Sequence, residues 1–208
     1  MAAPRDLREE DRVGTVKLAR TLSNVISPPT MFALTGLALA IYETSIWPGL
    51  AWGVFYSVLI ALTPLAVIFY LLRTGRIADL HMSSTRERHI PYLTAVISGT
   101  IAYLILTWFN GPLLLRCLAI LSVLTLGALG LINTRWLISI HATAAAATWL
   151  IATLVFGWVA GMLLFPILVL ICWIRLYLKR HSPAQVLAGV AVGLTIVLIM
   201  RAFGCFIP

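Results

Sequence analysis

Acidic side chains are scarce in this sequence: seven among 208 residues, and none after Glu87. That scarcity excludes whole classes of membrane chemistry. A prenyltransferase needs paired Asp-rich motifs to hold magnesium diphosphate, which the lone Asp79 and Glu87 do not supply. An ion-coupled transporter usually carries a carboxylate within its membrane segments, and none sits at the heart of an apolar run. Cysteine is equally sparse. Cys117, Cys172 and Cys205 lie far apart in or near apolar runs, with no CxxC or Cys/His spacing. They form neither a zinc pattern nor a disulfide framework, and are expected to be buried packing thiols.

Charge of either sign is low. Only 11% of residues are charged, against roughly 25% in soluble domains, and 61% are hydrophobic. With a mean hydropathy of +1.01, the chain reads as an all-α integral membrane protein. The net charge of +8 fits the positive-inside bias and anionic lipid headgroups better than nucleic acid. The partners expected are therefore membrane lipids and membrane proteins.

Seven apolar runs, each near the roughly 20 residues a bilayer demands, lie at about 28–47, 51–72, 91–108, 113–132, 137–156, 161–178 and 184–204. They are punctuated by Trp47-Pro48-Gly49, the charged stretch 73–90, Asn110-Gly111-Pro112, Asn133-Thr134-Arg135, Gly157 to Gly161 and the turn at 179–183. Ahead of them, residues 1–27 read as a cytoplasmic tail and an amphipathic interfacial helix, with Leu18, Leu22, Val25 and Ile26 at helical spacing. No signal-peptide pattern is seen. Residues 28–208 then form one transmembrane domain.

With the N-terminus inside, 13 of the 15 Lys and Arg fall on the inner side, leaving only Arg116 and Arg201 outside. The expected arrangement is a bundle of about seven transmembrane helices with a cytoplasmic N-terminus and an external C-terminus. A bacterial inner membrane is the location expected. The alanine-rich stretch Ala142 to Ala147 makes the fifth run thin, which favours a central place in the bundle. Gly189 and Gly193 mark a second close approach, either within the chain or to a partner helix.

Three inner segments gather the chemistry: 73–90, Arg135 to His141, and Trp173 to Gly189. They hold all four histidines (His81, His89, His141, His181) and most of the arginines. Arginine forks match phosphate oxygens, and imidazole accepts phosphoryl groups or moves protons near neutral pH. The last segment turns from one helix into the next at Ser182-Pro183-Ala184-Gln185, where Ser182 suits an N-cap, Pro183 the first helical position and Gln185 a capping box.

The stretch RLYLKRHSPAQVLAG resembles the third signature of the type 2 phosphatidic acid phosphatase superfamily, SRxxxxxHxxxD, with Arg175 and His181 at the required separation. ISIH, ending at His141, resembles the second signature, PSGH, and RERHIP at Arg86 to Pro91 resembles a degenerate KxxxxxxRP. The resemblance covers about 73–200. It implies a metal-independent phosphatase without cofactors, acting on a lipid phosphate or polyprenyl diphosphate through a phosphohistidine. His181 would be the nucleophile, His141 the acid, and Arg175, Arg88 and Arg86 phosphate ligands, with Gln185 orienting the nucleophile where the family has Asp.

Other departures accompany Gln185. Ile140 replaces the motif Gly whose absent side chain lets backbone N–H groups reach phosphate. Ile138 stands for Pro, Ile174 for Ser, and His81 where a Lys is sought. The alternative is a catalytically inactive descendant, serving as a lipid-binding or structural subunit of a larger membrane complex.

Overall fold

The computed structural model describes residues 4–6, 8, 10–77 and 88–207, and every regular element among them is helical. The order is α1 (Gly14–Val25), α2 (Pro28–Glu43), α3 (Ile46–Ser57), α4 (Thr63–Arg73), α5 (His89–Trp108), α6 (Leu113–Ile132), α7 (Ile140–Phe156), α8 (Trp158–Tyr177) and α9 (Pro183–Ala202). A single π-helical turn, Val58–Leu62, joins α3 to α4 into one continuous rod. Pro64 lies two residues beyond it; it has no N–H to donate and its ring crowds the preceding turn, so the ladder widens there.

Each apolar run of the sequence is helical, yet length and apolarity single out a smaller set. Among the described residues, five helices are long and apolar enough to cross a membrane: the rod 46–73, α5, α6, α8 and α9. A sixth is the pair α1 and α2, counted together across a 44° bend. The helix α7 is shorter because it begins at Ile140 rather than near 137. Asn133 Oδ1 accepts from the Ile138 N–H at 2.7 Å, and Ser139 caps the helix by accepting from the Ala142 N–H at 3.3 Å. These bonds hold 133–139 as a loop.

Helix α7 is the centre of the bundle. His141 through Ala147 are all buried, and α2, α8 and α9 pack around it. The two glycines of α9 face α7 of the same chain: a Cβ on Gly189 would fall 2.6 Å from the Ser139 carbonyl oxygen, and one on Gly193 would collide with that of Thr143. Gly157, at φ +88°, is the only residue between α7 and α8. A left-handed residue reverses the chain there without a longer loop.

The two ends of the bundle are closed differently. At the end bearing Asn110 and Gly157, Glu43 accepts from the N–H groups of Leu113 at 2.6 Å and Leu114 at 2.7 Å. Its charge meets the positive pole of α6. At the same end Cys117 and Cys205 form a disulfide, with Cα atoms 5.7 Å apart. This corrects the expectation of three packing thiols. The pair is 88 residues apart in sequence, so no local spacing marks it. The adjacent placement of the α6 start and the α9 end makes it. Only Cys172 is a free thiol.

At the opposite end the N-terminal tail docks on the turn between α8 and α9. The Arg5 N–H donates to the Leu178 carbonyl at 3.1 Å, and the Arg5 guanidinium lies 4.7 Å from the centre of the Tyr177 ring. Asp6 is fully buried and binds Arg180 Nε and Arg20 Nη1, each at 2.8 Å. Helix α1 turns Ala19 and Ser23 inward, while Leu18 and Val25 stay exposed.

Candidate functional site

The turn carrying His181 is built by local rules. α8 ends in a Schellman-type closure, with Arg180 N–H donating to the Arg175 carbonyl at 3.1 Å and Lys179 N–H to that of Leu176 at 2.9 Å. Lys179 takes the left-handed conformation, φ +53°, that this closure requires. Helix α9 then starts with the capping box expected of Ser182 and Gln185: Gln185 N–H donates to Ser182 Oγ at 3.3 Å, and Ser182 N–H to Gln185 Oε1 at 2.9 Å. His181 is fixed between two helix termini.

Arg88, Arg175, His141 and His181 line one cavity of about 420 Å³. They come from four places: the N-cap of α5, the last turn of α8, the first turn of α7, and the α8–α9 turn. All four are largely buried, at 2% exposure for Arg175 and 5% for His181. Arg86 and His81 lie outside the described residues. His89 stands exposed at the start of α5 and does not line the cavity. Among the described residues, no three His, Cys, Asp or Glu side chains cluster as metal ligands do.

The His181 ring is held at one nitrogen. Nδ1 lies 3.1 Å from the Leu137 carbonyl oxygen, which can only accept, so Nδ1 carries the proton. Nε2 is then the nitrogen with a lone pair. Burial, followed by the nearby charges of Arg175 and Arg88, pushes the imidazole down to about 3, against smaller upward pulls from Leu137 and Gln185. The ring is neutral at physiological pH. The Leu137 carbonyl thus orients the ring, and Gln185 adds a side-chain hydrogen bond to it.

Two more residues hold the site, and neither stands out in the sequence. Asn133 Nδ2 donates to the Tyr92 hydroxyl at 2.8 Å, and the Arg88 side chain also hydrogen-bonds Tyr92. Since Asn133 also holds Ile138, one network ties the arginine of α5 to the loop that launches His141. In the sequence Asn133 is only punctuation between apolar runs, and nothing sets Tyr92 apart from the other residues of its run.

On Arg175, Nη1 donates to Ser23 Oγ at 3.0 Å, and Nε is buried without a hydrogen-bond partner. Ile140 also lines the cavity, beside His141 and half-buried. The remaining wall is largely apolar and includes Ile60, Pro64, Leu65, Ile68 and Phe69. Comparison with protein-family models, curated proteins and solved structures finds no match to this chain.

Proposed function

We propose that this chain is a metal-independent membrane phosphatase that hydrolyses a lipid phosphate or polyprenyl diphosphate. The observation that carries this reading is the meeting of two guanidinium groups and two imidazoles in one cavity whose remaining wall is mostly apolar. Arginine forks neutralise phosphate oxygens, and an apolar wall suits the chain of the same molecule.

In the proposed reaction Arg175 and Arg88 hold the phosphoryl group. The His181 Nε2 lone pair forms a bond to phosphorus as the bond from phosphorus to the leaving oxygen breaks. Protonated His141 gives that oxygen its proton. Neutral His141 then takes a proton from water, whose oxygen attacks the phosphohistidine. The P–N bond breaks, phosphate departs and His181 returns to its neutral form. A nucleophile held neutral by burial needs no deprotonation before it attacks.

We place the site on the cytoplasmic side of a bacterial inner membrane, with seven crossings formed by α2, the 46–73 rod and α5 to α9. Two features support this. The described arginines Arg20, Arg88, Arg175 and Arg180 gather at the cavity end, and the Cys117–Cys205 disulfide sits at the other, as an oxidising exterior favours. One observation favours the non-catalytic alternative: Ile140 places a branched side chain in the cavity where the family has Gly. The same site would then hold a lipid headgroup without turning it over.

The test is phosphate release from phosphatidate and from undecaprenyl diphosphate in the presence of EDTA, comparing the wild-type chain with His181→Ala. Release by the wild type and its loss in the variant is the expected result. Equal, near-zero rates in both would favour the headgroup-binding subunit.

A further inference from the structure

Helix α1 reads from its sequence as an interfacial anchor, yet its inner face belongs to the cavity. Ser23 is fully buried and also lines the cavity, followed by Asn24, Ser27 and Thr30 of the α1–α2 bend. Its Oγ accepts from Arg175 Nη1 at 3.0 Å, so its own O–H hydrogen remains to be donated. Three residues earlier on the same helix, Arg20 is clamped to the buried Asp6 carboxylate, which also holds Arg180. The tail therefore fixes α1, and α1 fixes Ser23, against the α8 arginine and the turn that bears His181.

We propose that Ser23 is a phosphate-binding residue of this site, donating its hydroxyl hydrogen to an oxygen of the anion that Arg175 holds. The proposal rests on reading the cavity as a phosphate site. Two oxygens that accept from neighbouring N–H groups of one guanidinium lie close enough to hydrogen-bond each other. The Ser23 hydroxyl occupies one such position on Nη1, which leaves the position on the adjoining Nη2 for an oxygen of the anion. Helix α1 thus brings a hydroxyl to the cavity wall beside Arg175. The donor comes from a segment 152 residues away in sequence.

A purely structural role makes the opposite prediction. If Ser23 only occupied Arg175, removing it would free a donor, and phosphate would bind as tightly or more tightly.

The experiment is calorimetric titration of the full-length protein in detergent with inorganic phosphate, for wild type, Arg175→Ala, Ser23→Ala and Ser23→Thr. We expect binding by the wild type and its loss in Arg175→Ala. Ser23→Ala should bind about tenfold more weakly, the scale of one hydrogen bond to a charged group, and Ser23→Thr should recover most of the affinity. Should Ser23→Ala not yield a folded, monodisperse protein, Ser23→Cys, similar in size but a poor donor, takes its place. Unchanged or tighter binding in the variant that lacks the hydroxyl overturns the role of Ser23 and leaves the phosphate site standing. No phosphate binding by the wild type overturns both.

Discussion

Asp6 and Arg180, separated by 174 positions, meet at 2.8 Å with both side chains almost wholly shielded from solvent. The contact joins a polar tail to the turn that carries His181. It gives the basic end of the bundle a buried counter-charge that the residues after Glu87 do not contain.

Asp6→Ala should therefore release the tail. Breaking a buried ion pair by removing one partner leaves the other charge uncompensated, at a cost of about 3–5 kcal/mol. Trypsin should cut the variant quickly at Arg5, Arg8 or Arg12 and the wild type slowly. Equal digestion rates would show that the contact does not hold the tail in place.

His181 sets a pH dependence whose sign follows from its depressed value. Unfolded, the imidazole takes up a proton near 6.5; folded, it resists until about 3. Above pH 6.5 both states are neutral and the group costs nothing. As pH falls from 6.5 towards 3 the unfolded state binds the proton and the fold loses stability. Nitrogen chemical shifts of labelled histidine should show a neutral His181 ring at pH 5. A midpoint above 6 would refute the strongly buried, cation-flanked setting.

Lys179 is the only non-glycine residue between α8 and α9 with a positive φ, and its side chain is exposed. The left-handed conformation costs an L-residue roughly 1–2 kcal/mol, which glycine avoids. Lys179→Gly should raise thermal stability in detergent by about 1 kcal/mol without moving His181. A clear loss of stability would mean that the Lys179 side chain contributes more than its backbone costs.

Gly193 tests the centre of the bundle. A side chain there meets the backbone oxygen of Thr143, which cannot step aside as a flexible side chain would. Gly193→Val should destabilise the protein by about 1–3 kcal/mol, read as a lower melting temperature. Near-neutral behaviour would mean that α7 and α9 pack less closely than this contact implies.

The disulfide predicts faster migration of the unreduced chain on a denaturing gel, lost in Cys205→Ser. The variant should also be less stable by about 2–4 kcal/mol. Identical mobility with and without reductant would indicate free thiols.

Local order was legible in the sequence because its causes are local. Apolar runs of bilayer length became helices, the alanine stretch marked the central helix, and Ser182-Pro183-Ala184-Gln185 specified a capping box. The spacing of Arg175 and His181 likewise put both beside one turn. The span count was less legible: by length and apolarity five to six helices can cross, since Ser139 and Asn133 delay the start of α7 by hydrogen bonds that hydropathy does not register.

Only the tertiary structure decided which distant groups meet. Ser23 reaches Arg175, Asp6 reaches Arg180, Leu137 holds His181, and Cys117 finds Cys205 because helices that cross the bundle bring remote segments to a common end. Composition and spacing act over a few turns of chain, whereas these contacts depend on how whole helices are arranged side by side.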